Sequence, residues 1–187
     1  MNIRSLGLGD VLEIIPQRFS DERGFFSETY NLARFQKAGL VGDWVQDNHS
    51  YSVGRGVLRG LHYQLPPMAQ DKLVRVVRGA IFDVAVDIRQ GSPTFRRWVG
   101  LEISAEKWNQ IFVPKGFAHG FVTLEPDSEV IYKVSAPYSP EHDRAIRFND
   151  PDIAIEWPCE SNMIQLSVKD AAAPYLKDAD TGFHFEG

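Results

Sequence analysis

The sequence predicts an all-β fold, a double-sheet jelly roll carrying few and short peripheral helices. Three observations point there. Short runs rich in β-branched and aromatic residues fill most of the chain, turn signals separate them at close intervals, and helix signals gather in one stretch only. With 187 residues the chain matches one domain, residues 1–187, and leaves no room for a second full core.

In chain order the helical stretch comes first. Asn31 is a fitting N-cap for a helix over residues 31–38, and Gly39 stands where a helix C-terminus needs a residue that tolerates positive φ. Strands are predicted over residues 45–52, 57–64, 73–77, 81–88, 98–103, 111–113, 117–123 and 129–135, with turns at Arg78-Gly79, Gly91-Ser92-Pro93 and Glu125-Pro126-Asp127. The clearest strand is 81–88. There Phe82, Val84, Val86 and Ile88 share one face, and Ile81, Asp83, Ala85 and Asp87 share the other. Two aspartates on a half-apolar face require partners. From Pro151 onward the periodicity weakens, and this part is expected to wrap over the barrel rather than form its own core.

Composition narrows the function classes. Hydrophobic residues at 43% and charged residues at 24% are ordinary for a globular chain and exclude fibrous and disordered types. The net charge of -5 argues against nucleic acid and anionic membranes as partners, because both need a basic surface that displaces counterions. A small anionic ligand held by a few local Arg or Lys residues stays compatible. Cys159 is the single cysteine, so no intrachain disulfide forms and any metal site would rest on His and carboxylates. No apolar run reaches the roughly 18 residues of a membrane span, and residues 1–10 lack a basic stretch followed by an apolar one, which gives a cytoplasmic expectation.

Two fragments of a metal motif are visible. Cupin jelly rolls commonly carry G-x5-H-x-H followed by Glu, and later P-x-G-x-x-H. Gly56 to His62 fits the first spacing, and Pro114 to His119 fits the second, which aims two imidazoles into one barrel mouth. The rest of the set is missing: Gln64 stands where the second His belongs, and no Glu follows at the required separation. An amide oxygen is a poor replacement for imidazole at a transition metal. The expectation is therefore no metal and no cofactor.

Freed from ligand duty, His62 has a bland alternative as a satisfied core histidine. Its neighbourhood weighs against that. Arg59, His62 and Gln64 crowd one short strand, and Lys72 follows a Pro-Pro turn; several costly polar groups beside apolar strands mark a site more often than a surface. Strict alternation would put Arg59 and His62 on opposite faces, unless Gly60 hosts a bulge. In strand 129–135, Val130, Tyr132 and Val134 turn inward together, leaving a phenol among aliphatic side chains that is either structural or chemical. Lys169-Asp170 lies in a weakly structured segment, where the default for a charged pair is solvent.

Six sequence blocks in order carry a resemblance. They are 19–28 (FSDERGFFSE), 46–50 (QDNHS), 58–64 (LRGLHYQ), 67–75 (PMAQDKLVR), 83–89 (DVAVDIR) and 114–121 (PKGFAHGF). Together they make the chain resemble the dTDP-4-dehydrorhamnose 3,5-epimerase family, metal-free cupin enzymes of dTDP-rhamnose biosynthesis, from about Phe19 to Asp170. The resemblance implies a dTDP-4-dehydro-6-deoxy-D-glucose substrate whose C4 ketone acidifies the protons on C3 and C5. By the same resemblance His62 is the base, Asp170 its orienting carboxylate, Lys72 the cation at the ketone oxygen and Tyr132 the opposite-face acid. It further implies that Arg23, Glu28, Gln46, Asn48, Arg59, Lys72, His119, Asp143 and Lys169 line the ligand groove, that Tyr138 stacks on thymine, and that the protein is a homodimer with some contacts crossing between subunits.

The resemblance also has departures. Asp143 stands where Glu is usual, Arg96 where Gly is common and Phe148 where Trp is common. Three alternatives remain open at this stage: a relative that inverts only C3 or only C5, a metal-dependent cupin enzyme, and a cupin that binds a sugar nucleotide without catalysis.

Overall fold

The computed structural model describes residues 1–9, 11–40 and 42–185. Its strands are β1 Asn2–Ser5, β2 Leu12–Ile15, β3 Phe19–Asp21, β4 Gly24–Phe26, β5 Gln46–Ser52, β6 Leu58–Gln64, β7 Lys72–Arg78, β8 Ala80–Asp87, β9 Trp98–Ser104, β10 Gln110–Val113, β11 Phe117–Thr123, β12 Ser128–Val134 and β13 Asp143–Ala145. Two short helices accompany them, α1 Leu32–Lys37 and α2 Val168–Ala171. One sheet runs β1-β2-β10-β7-β12-β5 and the second β13-β6-β11-β8-β9, with β3-β4 as a separate hairpin. This is the expected double-sheet jelly roll. No helix among the described residues is long and apolar enough to cross a membrane.

Alternation along the strands divides the apolar residues into three layers. Between the sheets, Val74, Val76 and Val130 from the six-stranded sheet meet Ile81, Ala85, Phe117 and Phe121 from the five-stranded one. Outside the five-stranded sheet, Leu61, Val84, Val86 and Ala118 are covered by Ile153, Leu176 and Phe183 of the C-terminal segment. That segment wraps over the barrel, as the loss of periodicity suggested. Outside the six-stranded sheet, Phe35 of α1 packs with Ile14, Leu73 and Phe112. Helix α1 has the caps read from the sequence: the Asn31 side chain accepts from the Arg34 backbone N–H at 3.2 Å, and Gly39 has φ of +79°.

The eight predicted strands are all present, with ends shifted by a residue or so. The pieces the sequence did not announce are β1 to β4, β13 and α2. All span only three or four residues, and β1, β3 and β4 are exposed throughout, so no alternation marks them.

The predicted irregularity at Gly60 is real and positions the site. On β11, His119 pairs with His62 while Phe121, two residues on, pairs with Arg59, three residues back. One extra residue in β6 therefore turns Arg59 and His62 to the same side. Gly60 has φ of +135°, and a Cβ there would meet Gly120 Cα at 2.5 Å and the His119 carbonyl oxygen at 2.9 Å, both backbone atoms of the neighbouring strand. Gly60→Ala should thus cost about 2 kcal/mol or more, combining a disfavoured backbone conformation with a steric clash. Thermal melts check this; an unchanged Tm would contradict it.

Candidate active site

The space between the sheets opens into a cavity of about 480 Å³ lined by Arg59, His62, Lys72, His119, Tyr132 and Asp170, among others. It adjoins a smaller hollow of about 230 Å³ that shares His62, Lys72, Tyr132 and Lys169 and adds Gln46, Asn48, Tyr138 and Asp143. Four strands and one helix deliver the central set. His62 comes from β6, Lys72 from the first position of β7, His119 from β11, Tyr132 from β12 and Asp170 from α2.

His62 and Asp170 form a tight pair. His62 Nε2 lies 2.5 Å from Asp170 Oδ1, and the two side chains are 33% and 4% exposed. The carboxylate has little water to lean on, so Asp170 is not the solvated residue that its segment suggested. Burial works to raise its pKa, but the hydrogen bonds from His62 and Ser167, with the charges of His62 and Lys169, bring it below the usual carboxylate value. With Nε2–H given to an ionised carboxylate, the lone pair of a neutral His62 sits on Nδ1.

A second imidazole is held the same way. His119 Nε2 lies 2.9 and 3.0 Å from the two oxygens of Asp83, a residue fully shielded from solvent. This is the partner that Asp83 required. Asp87, the other inward aspartate of β8, accepts from Arg89, Ser92 and Thr94 instead. Burial depresses the His119 pKa, with Asp83 pulling the other way. The imidazole is therefore a neutral hydrogen-bonding group.

Lys72 is buried, and its ammonium donates to the His62 carbonyl oxygen at 3.3 Å. Burial lowers its pKa to about 8, while Asp83 and Asp143 act to raise it. The Tyr132 hydroxyl has no hydrogen-bond partner among the described residues, and burial raises its pKa, so the phenol keeps its proton. The arrangement sets an imidazole with its carboxylate, a buried lysine and a phenol around one cavity. That set can remove a proton, hold an oxyanion and return a proton.

A family model described as dTDP-4-dehydrorhamnose 3,5-epimerase matches residues 5–178. The chain belongs to that family. Its relative from Sinorhizobium fredii (strain NBRC 101917 / NGR234), a dTDP-4-dehydrorhamnose 3,5-epimerase, is 49% identical over 99% of this chain and 94% of that one. The crystal structure of dTDP-6-deoxy-D-glucose-3,5-epimerase from Legionella pneumophila, in complex with dTDP-4-keto-L-rhamnose, has a TM-score of 0.95 at 44% identity and covers 100% of this chain and 99% of that chain. A 3'-monoepimerase from Streptomyces bikiniensis, solved in complex with dTDP-quinovose, has a TM-score of 0.83 at 35% identity, covering 91% and 86%. That monoepimerase was also solved with dTDP after one histidine and one tyrosine had been replaced. Membership makes this chain an isomerase, an epimerase acting on carbohydrates.

The remaining predicted groove residues of this epimerase fall into two sets. Gln46, Asn48, Tyr138, Asp143 and Lys169 come together: Gln46 Nε2 donates to Asn48 Oδ1 at 2.7 Å, and Gln46 Oε1 accepts from the Tyr138 backbone N–H at 3.0 Å. Asp143 Oδ2 accepts from the Tyr138 hydroxyl at 3.1 Å and from the Lys169 ammonium. The Asp in place of Glu thus reaches its neighbours. Arg59 lines the large cavity, its guanidinium held by the Tyr51 carbonyl at 3.0 Å. Arg23 and Glu28 do not join them. Arg23 sits at the tip of the β3-β4 hairpin, 85% exposed and paired with Asp21, and Glu28 pairs with Arg34.

Gln64, the misfit in the metal motif, has another occupation. Its buried amide donates to the carbonyls of Met68 at 2.7 Å and Pro137 at 3.1 Å and accepts from the Ser139 N–H at 2.7 Å. It clamps the loop that carries Tyr138. Among the described residues, no three His, Cys, Asp or Glu side chains are placed to share a metal ion. Ser167, which holds Asp170, was not singled out in the sequence. The pattern Ser167-x-x-Asp170 is a helix N-cap signal that would have found it. Gln64→Leu strands three backbone groups and is expected to cost about 2 kcal/mol or more, roughly 4–8 °C in Tm for a chain of this size. A melt within a degree of wild type would contradict the clamp.

Proposed function

We propose that this epimerase inverts C3 and C5 of dTDP-4-dehydro-6-deoxy-D-glucose to give dTDP-4-dehydro-L-rhamnose, with His62 as base and Tyr132 as acid. One observation carries the reading: His62 paired with a buried carboxylate shares a single cavity with Lys72 and a phenol that has no hydrogen-bond partner among the described residues. The C4 ketone acidifies the protons on both neighbouring carbons. Neutral His62 takes one, the C–H electron pair moves into the C4 oxygen as an enolate, and Asp170 stabilises the imidazolium so formed. The buried Lys72 ammonium holds the enolate oxygen. Tyr132 gives its proton to the opposite face of the carbon; the His62 imidazolium then releases its proton to solvent and the tyrosinate takes one back, which resets both groups. Nothing is oxidised or reduced, and no metal or cofactor enters the scheme.

The rest of the groove suits the nucleotide. Arg59 and His119 face the diphosphate, where a guanidinium donates two hydrogen bonds at once. Gln46, Asn48, Asp143 and Lys169 border the thymidine end, with Tyr138 stacking on the base for about 1–3 kcal/mol. Arg23 and Glu28 reach a groove only across a subunit boundary, in a homodimer. The hairpin beside them leaves Phe19, Phe25 and Phe26 at least half exposed, an apolar surface suited to a partner. We place this single domain, residues 1–187, in the cytoplasm.

Inversion of both carbons is supported by the relatives: those at 44% and 49% identity are named 3,5-epimerases, and the 3'-monoepimerase stands at 35%. Support for the base and acid comes from the replaced histidine and tyrosine of that monoepimerase, which are as far apart in its chain as His62 and Tyr132 are here.

Incubation of the purified protein with dTDP-4-dehydro-6-deoxy-D-glucose in D2O should place deuterium at C3 and C5. Label at one carbon alone would sink the double inversion, and no label would sink the function. His62→Asn should lower turnover by about 10²–10⁴-fold or more while dTDP still binds; turnover within a few-fold of wild type would remove His62 as the base. Because Lys72 works in its charged form and titrates at about 8, kcat/KM should fall as pH rises through that value. Lys72→Arg, which cannot lose its charge in this range, should abolish that alkaline decline. A decline that stays in place would assign it to another group.

A further inference from the structure

Asp170 has two carboxylate oxygens, and each has a separate partner. Oδ1 faces His62 Nε2 at 2.5 Å, and Oδ2 accepts from the Ser167 hydroxyl at 2.9 Å. The same Ser167 oxygen accepts from the Asp170 backbone N–H at 3.1 Å, so Ser167 grips Asp170 at both its main chain and its side chain. In an ordinary capping box the third residue of the helix is a Glu or Gln whose side chain reaches back to the cap's own N–H. Here the shorter Asp meets the cap hydroxyl instead. One oxygen is then left free to point at the imidazole.

The chain before Ser167 is tied to the strand that bears His62. The Leu58 N–H donates to the Gln165 carbonyl at 2.9 Å, and the Gln165 N–H donates to the Gly56 carbonyl at 2.8 Å. Gly56 has φ of +82°, and a Cβ there would fall 2.3 Å from the Met163 carbonyl oxygen, so the segment lies flat against the approach to β6 only because that residue is glycine. Ser167 itself lines the large cavity. The base and the hydroxyl that steadies its carboxylate are therefore fixed to a common strand.

We infer that Ser167 is a positioning residue for proton abstraction, one that locks the Asp170 carboxylate so that a single oxygen is presented to His62. This rests on the reading of His62 as the base. The Ser167 hydroxyl is engaged with Asp170, so it works on the reaction through that carboxylate. It acts by removing the rotational freedom of Asp170 and by keeping the carboxylate in its ionised form, which a hydrogen bond to the charged state favours. Without it, the second oxygen of Asp170 seeks another donor and the carboxylate turns away from the ring as the imidazolium forms.

Three variants at this position separate the role from plain helix capping. Glycine is nearly as good an N-cap as serine but has no hydroxyl, whereas alanine loses both functions and threonine keeps both. Ser167→Gly and Ser167→Ala should each lower kcat by roughly tenfold to a hundredfold, as loss of an outer partner does for other functional side chains, with KM and dTDP affinity within about twofold. Ser167→Thr should restore kcat to within a few-fold of wild type. In an Asp170→Asn background the Ser167→Ala change should have little further effect, because the two residues act as one unit. Ser167→Gly with wild-type kcat, an equal loss in Ser167→Thr, or full additivity with Asp170→Asn would each overturn the inference. Failure of the underlying reading looks different: His62→Asn would then retain turnover, whatever Ser167 does.

Discussion

The space between the two sheets holds two imidazoles, two carboxylates and an ammonium group, and the fold supplies each of them with a partner. Charges in such a space are costly unless paired and hydrogen-bonded. His62 has Asp170, His119 has Asp83, and Lys72 has the His62 carbonyl. Each pairing joins different elements: β6 to α2, β11 to β8, β7 to β6. The polar interior thus fixes how the layers sit on one another while it arms the cavity. Removing either half of a His–Asp pair would leave the other a largely buried polar group without its partner.

A period-two strand cannot by itself present two large polar side chains three residues apart to one cavity. The extra residue in β6 solves this, and it forms only where backbone meets backbone, at Gly60 against Gly120. The same strand carries Gln64, whose amide organises the Tyr138 loop, and its approach carries Gly56, which seats the segment leading to Asp170. One strand therefore places the proposed base, the cavity-lining Arg59, the loop bearing the exposed tyrosine and the carboxylate arm. In the proposed mechanism the reacting ketone lies where these reach together.

Much of this was legible in the sequence because it rests on local rules. Alternation in residues 81–88 separated Asp83 and Asp87 from the aliphatic face, and the Asn31 and Gly39 caps announced α1. The clash of alternation at Arg59 and His62 pointed to the bulge at Gly60. What local rules missed depends on tertiary contact. Asp170 looks like a surface residue until the C-terminal segment is laid across the barrel, where Ile153 and Leu176 cover a sheet face formed much earlier in the chain. The strands β1, β3 and β4 are exposed, so no hydrophobic pattern marks them. Arg23 and Glu28 carry motif weight yet pair with Asp21 and Arg34 away from the cavity, since a sequence motif does not fix where a residue stands relative to the site.

In the proposed chemistry His62 acts as a base whose imidazolium is held by a buried carboxylate. The most direct test is the rate of deuterium loss from substrate labelled at C5, measured in single turnover for wild type and Asp170→Asn with dTDP affinity recorded alongside. The prediction is washout slowed by about 10²-fold or more with dTDP binding little changed. Washout within a few-fold of wild type would contradict the pairing of His62 with Asp170 as the engine of proton removal.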